Sequence, residues 1–251
     1  MSVVTEVNGP CAVVTLDWPE KRNAMGPDEA NELSAALTAV ADDGDVKVIV
    51  ITGNGAFCAG GDTKGMVSRA DMSPEERRKL VYSAYQGMIR TLIGLPVPTI
   101  AAVDGPAVGM GFDIALACDW RIFGPDGWAR QGWGGIGLIP GTGGELLLRL
   151  RAPSALWPML ATQQKVDATA AAQWGLGGGA DAGTAREAAV DMATSLAKNS
   201  RVTLAAYVDL HRASLRAQLD EHLALCLANQ VRLLADPEFR NRAANAVPAR
   251  T

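Results

Sequence analysis

The sequence predicts an α/β fold, in which strand–helix units form the first part of the chain and helices form the last. The segments CAVVTLDW and VKVIVITG are β-branched and apolar, as buried strands are, and a helical pattern lies between them. Beyond residue 153 the chain is mostly helical in pattern and rich in alanine. A sheet core followed by helices is therefore the expected architecture.

The individual elements can be predicted in chain order. The strand CAVVTLDW follows an NGP turn, and a helix is expected at about 27–42, where acids stand near the start and apolar residues recur at helical spacing. VKVIVITG predicts a second strand, and the glycine-rich NGAFCAGGDTKGM predicts a loop. The capping box SPEE at 73–76 opens a second helix that runs to about Leu92. LPVPTIAAVDG contains another buried strand, and GMGFDIALACD a turn that enters a short helix. The composition of GLGGGADAG (175–183) predicts the most flexible segment.

Composition excludes several classes of protein. The 251 residues include 23 basic and 27 acidic side chains, and the resulting charge of −4 argues against a nucleic-acid binder. The four cysteines are far apart and form no CxxC pair, so reduced cytosolic thiols are expected rather than disulfides or a zinc site. No signal-peptide pattern and no apolar run of about 18 residues occurs, which predicts a cytoplasmic protein with no membrane span. No cluster has the spacing of metal ligands, and no metal or cofactor is expected.

Three motifs carry a resemblance to a known family. The motif RNAM lies at 22–25, ITGNGAFCAGGDTKGM at 51–66, and PTIAAVDGPAVGMGFDIALACDWRI at 98–122 is followed by GIGLIPGTGG at 135–144. In this order and spacing they resemble the crotonase superfamily, the enoyl-CoA hydratase/isomerase family. The resemblance covers about residues 12–176. It implies a crotonase-like spiral of β-β-α turns with a helical C-terminal trimerisation region.

The resemblance also implies a chemistry. Family members bind an acyl-CoA thioester and pass through an enolate-like state, so negative charge grows on the thioester oxygen and needs preorganised donors. The matching backbone N–H groups here are those of Gly61, in the loop AGGD, and Met110, in the turn GMG, which we call the oxyanion donors. The simpler structural interpretation is that these glycines only permit tight turns.

Further positions match the family's substrate-binding residues. Asp62, Thr63 and Lys64 would line the CoA channel, and Arg22 and Ala24 would lie near its nucleotide end. Arg22 and Lys64 would each meet a CoA phosphate or lie in solvent. The other matching positions are Ala59, Gly60, Gly109, Trp133 and Gly141.

The sequence departs from the family at its two acids. Hydratases of the family carry two glutamates that hold a water molecule and move its protons, whereas this chain has Asp113 and Trp133 at those positions. A displacement of roughly 1 Å costs about 100-fold in rate, and the loss of an acid–base partner costs about 10²–10⁴-fold. Efficient hydration by the two-glutamate route is therefore not expected.

Three interpretations of this departure remain open. Asp113 alone moves protons, in an isomerase, a specialised hydratase or a carbon–carbon bond enzyme, and Trp133 forms a wall for the acyl group. Alternatively, Trp133 fills the water site of a protein that binds acyl-CoA without turnover. In the third, another group acts, and Glu145 is the nearest acid in sequence. The structural interpretations are a helix cap for Asp113 and core packing for Trp133.

Other titratable residues are interpreted as structural. The two histidines lie on late helices and are expected at the surface or an interface. Three acids are expected to be structural or solvated. These five residues are His211, His222, Asp104, Asp119 and Glu187.

The expected organisation has two parts. Residues 1–195 would form the core with the acyl-CoA site, and residues 196–251 a helical region for oligomerisation into a homotrimer or hexamer. Alanine and leucine recur at helical spacing over 196–234, as on a buried surface between subunits. The tail PEFRNRAAN lacks the usual Lys-Arg ending of the family. The expected function is an acyl-CoA-processing enzyme, with a non-catalytic acyl-CoA binder or a carbon–carbon lyase or hydrolase as alternatives, and a structural protein without CoA binding ranks behind them.

Overall fold

The computed structural model describes residues 2–62, 65 and 72–246, and its elements alternate as the sequence predicts. The strands are β1 (Val3–Asn8), β2 (Cys11–Leu16), β3 (Val48–Gly53), β4 (Thr99–Val103), β5 (Pro106–Val108), β6 (Trp120–Phe123), β7 (Trp128–Arg130) and β8 (Gly178–Gly179). The helices of the first half are α1 (Pro27–Asp42), α2 (Pro74–Arg77), α3 (Ser83–Gly94) and α4 (Met110–Ala117). Those of the second half are α5 (Gly144–Arg151), α6 (Leu156–Thr162), α7 (Ala168–Gln173), α8 (Ala185–Leu196), α9 (Arg201–Leu234) and α10 (Pro237–Ala246).

A six-stranded sheet in the order β1-β2-β3-β4-β6-β8 forms the centre of the fold. β1 and β2 are an antiparallel hairpin, and the remaining neighbours pair in parallel. Alternate residues of β3 enter two different cores: Ile49 and Ile51 pack on the side of α1 and α3, whereas Val48 and Val50 pack against α8. The nearly unbroken apolar sequence of β3 fits a strand that is covered on both faces.

A second, smaller sheet positions the functional residues. β5 and β7 pair in parallel, and isolated bridges add Cys58 beside Ala107 and Val166 beside Ala129. The loop after β3 and the turn before α4 are thereby fixed next to each other. This juxtaposition brings together two motifs that are about 50 residues apart in the chain.

Most predicted elements are confirmed, and the exceptions are instructive. The helix at 27–42 is present with those bounds, and Ser73 and Glu76 form the predicted capping box. The second helix continues to Gly94 through a π-helical turn over Arg78–Tyr82, which the sequence pattern did not predict. Five strands were also not predicted: β1, β5, β6, β7 and β8. β8 lies inside the glycine-rich segment and pairs with β6.

The long helix α9 packs its apolar stripe against its own chain. Leu215, Leu219 and Leu223 belong to the same core as α1 and α3. These three leucines are therefore covered within the chain, and the expectation that residues 196–234 form a surface between subunits stays a prediction. Other apolar side chains of α9, Val202 and Leu210 among them, are exposed. The predicted boundary at 195/196 falls where α8 ends, and the division into two parts stays a prediction.

Three acids have the structural roles that the sequence predicted. Asp119 forms a buried ion pair with Arg212, whose Nη2 lies 2.6 Å from Oδ2. Asp104 accepts from the first backbone N–H groups of α8, and Glu187 completes a capping box with Thr184. Within the described residues, no helix is long and apolar enough to cross a membrane.

Candidate active site

Two glycine-containing loops meet at the amino end of α4. Val108 donates its N–H to the carbonyl of Cys58 at 2.9 Å, which aligns the two segments. A Cβ on Gly60 would lie 2.6 Å from the carbonyl oxygen of Val108, and one on Gly111 would overlap with the Cys58 carbonyl. Only glycine permits so close an approach of the two backbones.

The two oxyanion donors lie in these loops. Met110 is the first residue of α4, where a backbone N–H has no partner within the helix. In the part of the chain that the structure describes, neither the Gly61 nor the Met110 N–H donates to a protein acceptor. The helix dipole of α4 adds partial positive charge at Met110. This corner of the fold therefore suits an anionic oxygen.

The RNAM motif holds the first loop in place. The carbonyl of Arg22 accepts from the Ala59 N–H, and Met25 exchanges backbone hydrogen bonds with the segment of Gly60 and Asp62. The buried amide of Asn23 donates to carbonyls of the same loop, with Ala56 at 2.6 Å. The sequence analysis missed this role of Asn23. Its backbone is left-handed, with φ of 56°, and asparagine's tolerance of that conformation was the available signal.

The predicted CoA-contacting residues divide into three groups. Arg22, whose side chain is exposed, and Ala24 adjoin the loop of Ala59, Gly60 and Asp62, and their contact with CoA stays a prediction. Gly109, Trp133 and Gly141 lie near α4 and α5. Thr63 and Lys64 are outside the described residues.

Asp113 is fully buried in α4 and bound by three side chains. Thr142 Oγ1 donates to its Oδ2 at 2.6 Å, Trp133 Nε1 donates to Oδ2 at 3.1 Å, and Gln131 Nε2 donates to Oδ1 at 3.4 Å. The N-cap of α4 is Gly109, with no side-chain cap. The interpretation of Asp113 as a helix cap is therefore wrong.

Trp133 contacts both Asp113 and the turn before α4. Its indole contacts Gly109, where an added Cβ would be 3.5 Å from Cε2, and its Nε1 binds Asp113. The side chain is buried in the main core. Trp133 thus packs in the hydrophobic core and also contacts the candidate site.

The electrostatics of Asp113 follow from its burial. Desolvation raises the pKa of Asp113 from 3.8 to about 7, and the hydrogen bonds from Thr142, Trp133 and Gln131 oppose that rise. A carboxyl group that titrates near neutral pH can both accept and release a proton. Asp113 has the properties required of an acid–base group.

This raised pKa predicts how stability depends on pH. Between pH 3.8 and about 7 the folded chain retains a proton on Asp113 that the unfolded chain releases. The contribution of Asp113 to the free energy of unfolding therefore falls as pH rises through this window. Urea unfolding of wild type and Asp113→Asn at pH 5 and pH 8 should show the variant gaining relative stability at pH 8. Parallel pH curves would contradict the raised pKa.

Thr142 and Gln131 are site residues that the sequence analysis missed. Thr142 is the only side chain with a hydroxyl in GIGLIPGTGG, and that was the available signal. Its neighbour Gly141, a predicted contact residue, accepts a hydrogen bond from Gln86 Nε2 at 3.1 Å. An added Cβ on Gly144 would overlap with Asp113 Oδ1. The segment between β7 and α5 thus encloses the carboxylate.

The alternative acid and the histidines have other partners. Glu145 pairs with Arg149 at 3.3 Å, and its Oε2 lies 3.5 Å from His222 Nε2, too poorly aligned for a hydrogen bond. Burial lowers the pKa of His222, although Glu145 opposes this, and the residue is less exposed than expected. His211 borders a cavity of about 400 Å³ with Asp119, and no predicted site residue lines it. Among the described residues, no three His, Cys, Asp or Glu side chains form a group suited to a metal ion.

The fold and the site define an α/β protein in which two backbone N–H groups, without an acceptor among the described residues, lie in the same region as a buried carboxyl group with a pKa of about 7. The chain belongs to the enoyl-CoA hydratase/isomerase family, whose model matches residues 6–245. The predicted crotonase-like fold is confirmed by its similarity to a crystal structure of enoyl-CoA hydratase from Bacillus halodurans. The TM-score is 0.90 at 20% identity, with 98% of this chain and 100% of that chain covered.

Curated relatives agree with this assignment. The chain is 32% identical to probable enoyl-CoA hydratase EchA14 of Mycobacterium tuberculosis, over 97% of this chain and 96% of that protein. It is 37% identical to probable enoyl-CoA hydratase 2, mitochondrial, of Arabidopsis thaliana over 73% of this chain. The matched region spans 61% of the length of the plant protein.

Proposed function

We propose that the protein is an acyl-CoA-processing enzyme in which Asp113 is the only carboxyl group that moves protons. The Gly61 and Met110 N–H groups would bind the thioester oxygen and stabilise its enolate. One arrangement carries the proposal. The Gly61 and Met110 N–H groups have no acceptor among the described residues, and they lie in the same region as the buried carboxyl group of Asp113, whose pKa is about 7.

A single carboxyl group favours proton relay over water addition. Hydration by the family's route needs two carboxylates around one water, and the indole of Trp133 can only donate a hydrogen bond. In a 3-enoyl thioester, one carboxylate can take a proton from C2 and return it to C4, which moves the double bond to C2 with no net change in the protein. Isomerisation of this kind is the reaction that we favour.

The remaining substrate contacts follow the family positions. CoA would lie along Ala59, Gly60, Asp62, Thr63 and Lys64. Its phosphates would be near Arg22 and Ala24, and the acyl group near Gly109, Trp133 and Gly141. We further propose no cofactor, a cytoplasmic location and a homotrimer or hexamer. The exposed apolar side chains of α9 support such an assembly.

A second candidate is an acyl-CoA binder without turnover. It is favoured by the complete burial of Asp113 beside Trp133, which fills the position of the second family acid. A panel of 3-enoyl, 2-enoyl and 3-ketoacyl thioesters separates the candidates. Turnover of any of them supports the enzyme, whereas tight binding with no turnover supports the binder.

The role of Met110 can be tested by removing its N–H. Met110→Pro deletes the donor at the first helical position, where proline is tolerated, and loss of one oxyanion donor should lower kcat by about 10²–10³-fold. Met110→Leu keeps the backbone donor and should stay near the wild-type rate. Steady-state assays with thermal unfolding as a folding control measure both. Equal activity of the two variants would exclude Met110 as an oxyanion donor.

A further inference from the structure

The two oxygens of Asp113 have different environments. Oδ2 accepts two hydrogen bonds, from Thr142 Oγ1 at 2.6 Å and from Trp133 Nε1 at 3.1 Å. Oδ1 has a single long contact, with Gln131 Nε2 at 3.4 Å, and lies against the backbone of Gly144. The carboxyl group is therefore anchored through one oxygen.

The anchored oxygen is poorly suited to carry a proton. The indole N–H of Trp133 is a donor only, so it requires an acceptor at Oδ2 in every protonation state. Thr142 approaches the same oxygen at the short distance of a charge-assisted hydrogen bond. Protonation at Oδ2 would require the Thr142 hydroxyl to reverse and accept, and would leave one lone pair for Trp133, whereas protonation at Oδ1 leaves both bonds to Oδ2 as they are.

Gln131 offers a matching acceptor for a proton on Oδ1. The side chain is buried, and its Oε1 has no hydrogen-bond partner among the described residues. Leaving a buried acceptor unpaired is unfavourable. A half-turn of the amide exchanges Nε2 and Oε1, so that Oε1 would face Oδ1 and accept an O–H from it. The amide can thus accompany a change in the protonation of Asp113.

We propose that Oδ2 of Asp113 is a fixed anchor held by Thr142 and Trp133, that Oδ1 is the atom that moves the proton, and that Gln131 accepts from it. Thr142 and Gln131 are then positioning residues for the proposed isomerisation, on which this assignment rests. In that reaction the C2 proton moves to Oδ1, and the electron pair of the C–H bond enters the enolate. The proton then passes from Oδ1 to C4 and the carboxylate is restored.

Two thiols that interact with Asp113 stay neutral in the relevant range. Cys58, in the loop after β3, and Cys226, on α9, both interact with the charge of Asp113. Burial raises the pKa of each thiol to about 12. Titration near pH 7 therefore reports on the carboxyl group and its three hydrogen-bonding partners.

The test is a ¹³C NMR titration of the Asp113 carboxyl carbon in the full-length, ligand-free protein, with Asp113→Asn to assign the signal. Thr142→Val removes a donor to the charged form and should raise the midpoint by about one to two pH units. Thr142→Ser should restore it. Trp133→Phe removes the other donor to Oδ2 and should raise the midpoint by less. This variant tests the anchor if Thr142→Val does not fold. Thr52→Val, which removes a buried hydroxyl bound to the Ala102 carbonyl, is the matched control and should leave the midpoint unchanged.

Gln131→Leu should move the midpoint by less than Thr142→Val does. The substitution removes a donor to the carboxylate, which raises the midpoint, and also an acceptor for the O–H of the neutral acid, which lowers it, so the two effects oppose each other. A rise in this variant as large as that in Thr142→Val overturns the role of Gln131 as the acceptor for a proton on Oδ1, and an unchanged midpoint in a folded Thr142→Val overturns the anchor. Since the titration needs no substrate, it is independent of turnover. Retained activity of Asp113→Asn would refute the proposed function, but it would not change the titration midpoints of the other variants.

Discussion

Replacing Asp113 by asparagine is expected to lower kcat by about 10²–10⁴-fold, the usual contribution of a general acid–base group. The amide keeps the shape of the carboxyl group, and its oxygen can still accept from Thr142 and Trp133. It cannot take a proton from a carbon acid. Because the oxyanion donors belong to the backbone, the dissociation constant for a CoA thioester should change little. Steady-state isomerisation of a 3-enoyl-CoA and calorimetry with acetoacetyl-CoA measure the two quantities.

Glu145→Gln is the matched control for this substitution. Glu145 is the nearest alternative acid, but its carboxylate is directed at Arg149 and His222. The glutamine variant should therefore retain most of the wild-type rate. If Asp113→Asn stays active and Glu145→Gln does not, Glu145 is the proton-transfer group. A wild type that binds several thioesters and turns over none of them would instead favour the binder.

Replacing Gly144 by alanine is expected to displace the Asp113 carboxylate. The new Cβ would overlap with Oδ1 and lie 3.0 Å from Oδ2, so the buried carboxyl group must move or α5 must shift. Overpacking of this kind typically costs about 1–3 kcal/mol of stability. A displacement of roughly 1 Å at a reacting group costs about 100-fold in rate. Urea unfolding and kcat measured on the same preparation test both effects.

Gly87→Ala provides the comparison. Gly87 lies within α3, and an added Cβ there would meet no atom within 4 Å. Alanine is favoured over glycine inside a helix by about 1 kcal/mol, so this variant should be as stable as wild type or more stable. Its activity should be unchanged. Gly144→Ala with wild-type stability and wild-type kcat would show that the carboxylate is not confined as described.

The amino-acid sequence by itself determines the elements whose signals are local. The helix at 27–42 follows from apolar residues at helical spacing. β3 follows from a nearly unbroken apolar run, which is typical of a strand covered on both faces. The capping box at Ser73 is likewise contained within four residues. The motifs around Gly61 and Met110 identify the donors because a backbone group needs only a particular turn, and turns are encoded by short stretches of glycine.

The tertiary structure alone decides which side chains surround Asp113. Trp133 and Thr142 are 20 and 29 residues away from Asp113, in the segment between β7 and α5, and neither spacing is a helix repeat. The strand β8 exists because β6 presents an edge to a glycine-rich segment, although that segment has no strand pattern of its own. By sequence, the apolar stripe of α9 could pack against a partner subunit or against its own chain. In the structure, its leucines at 215, 219 and 223 pack in the core of their own chain. Periodicity reports that a side chain will be buried, whereas its partner depends on how distant segments meet in space.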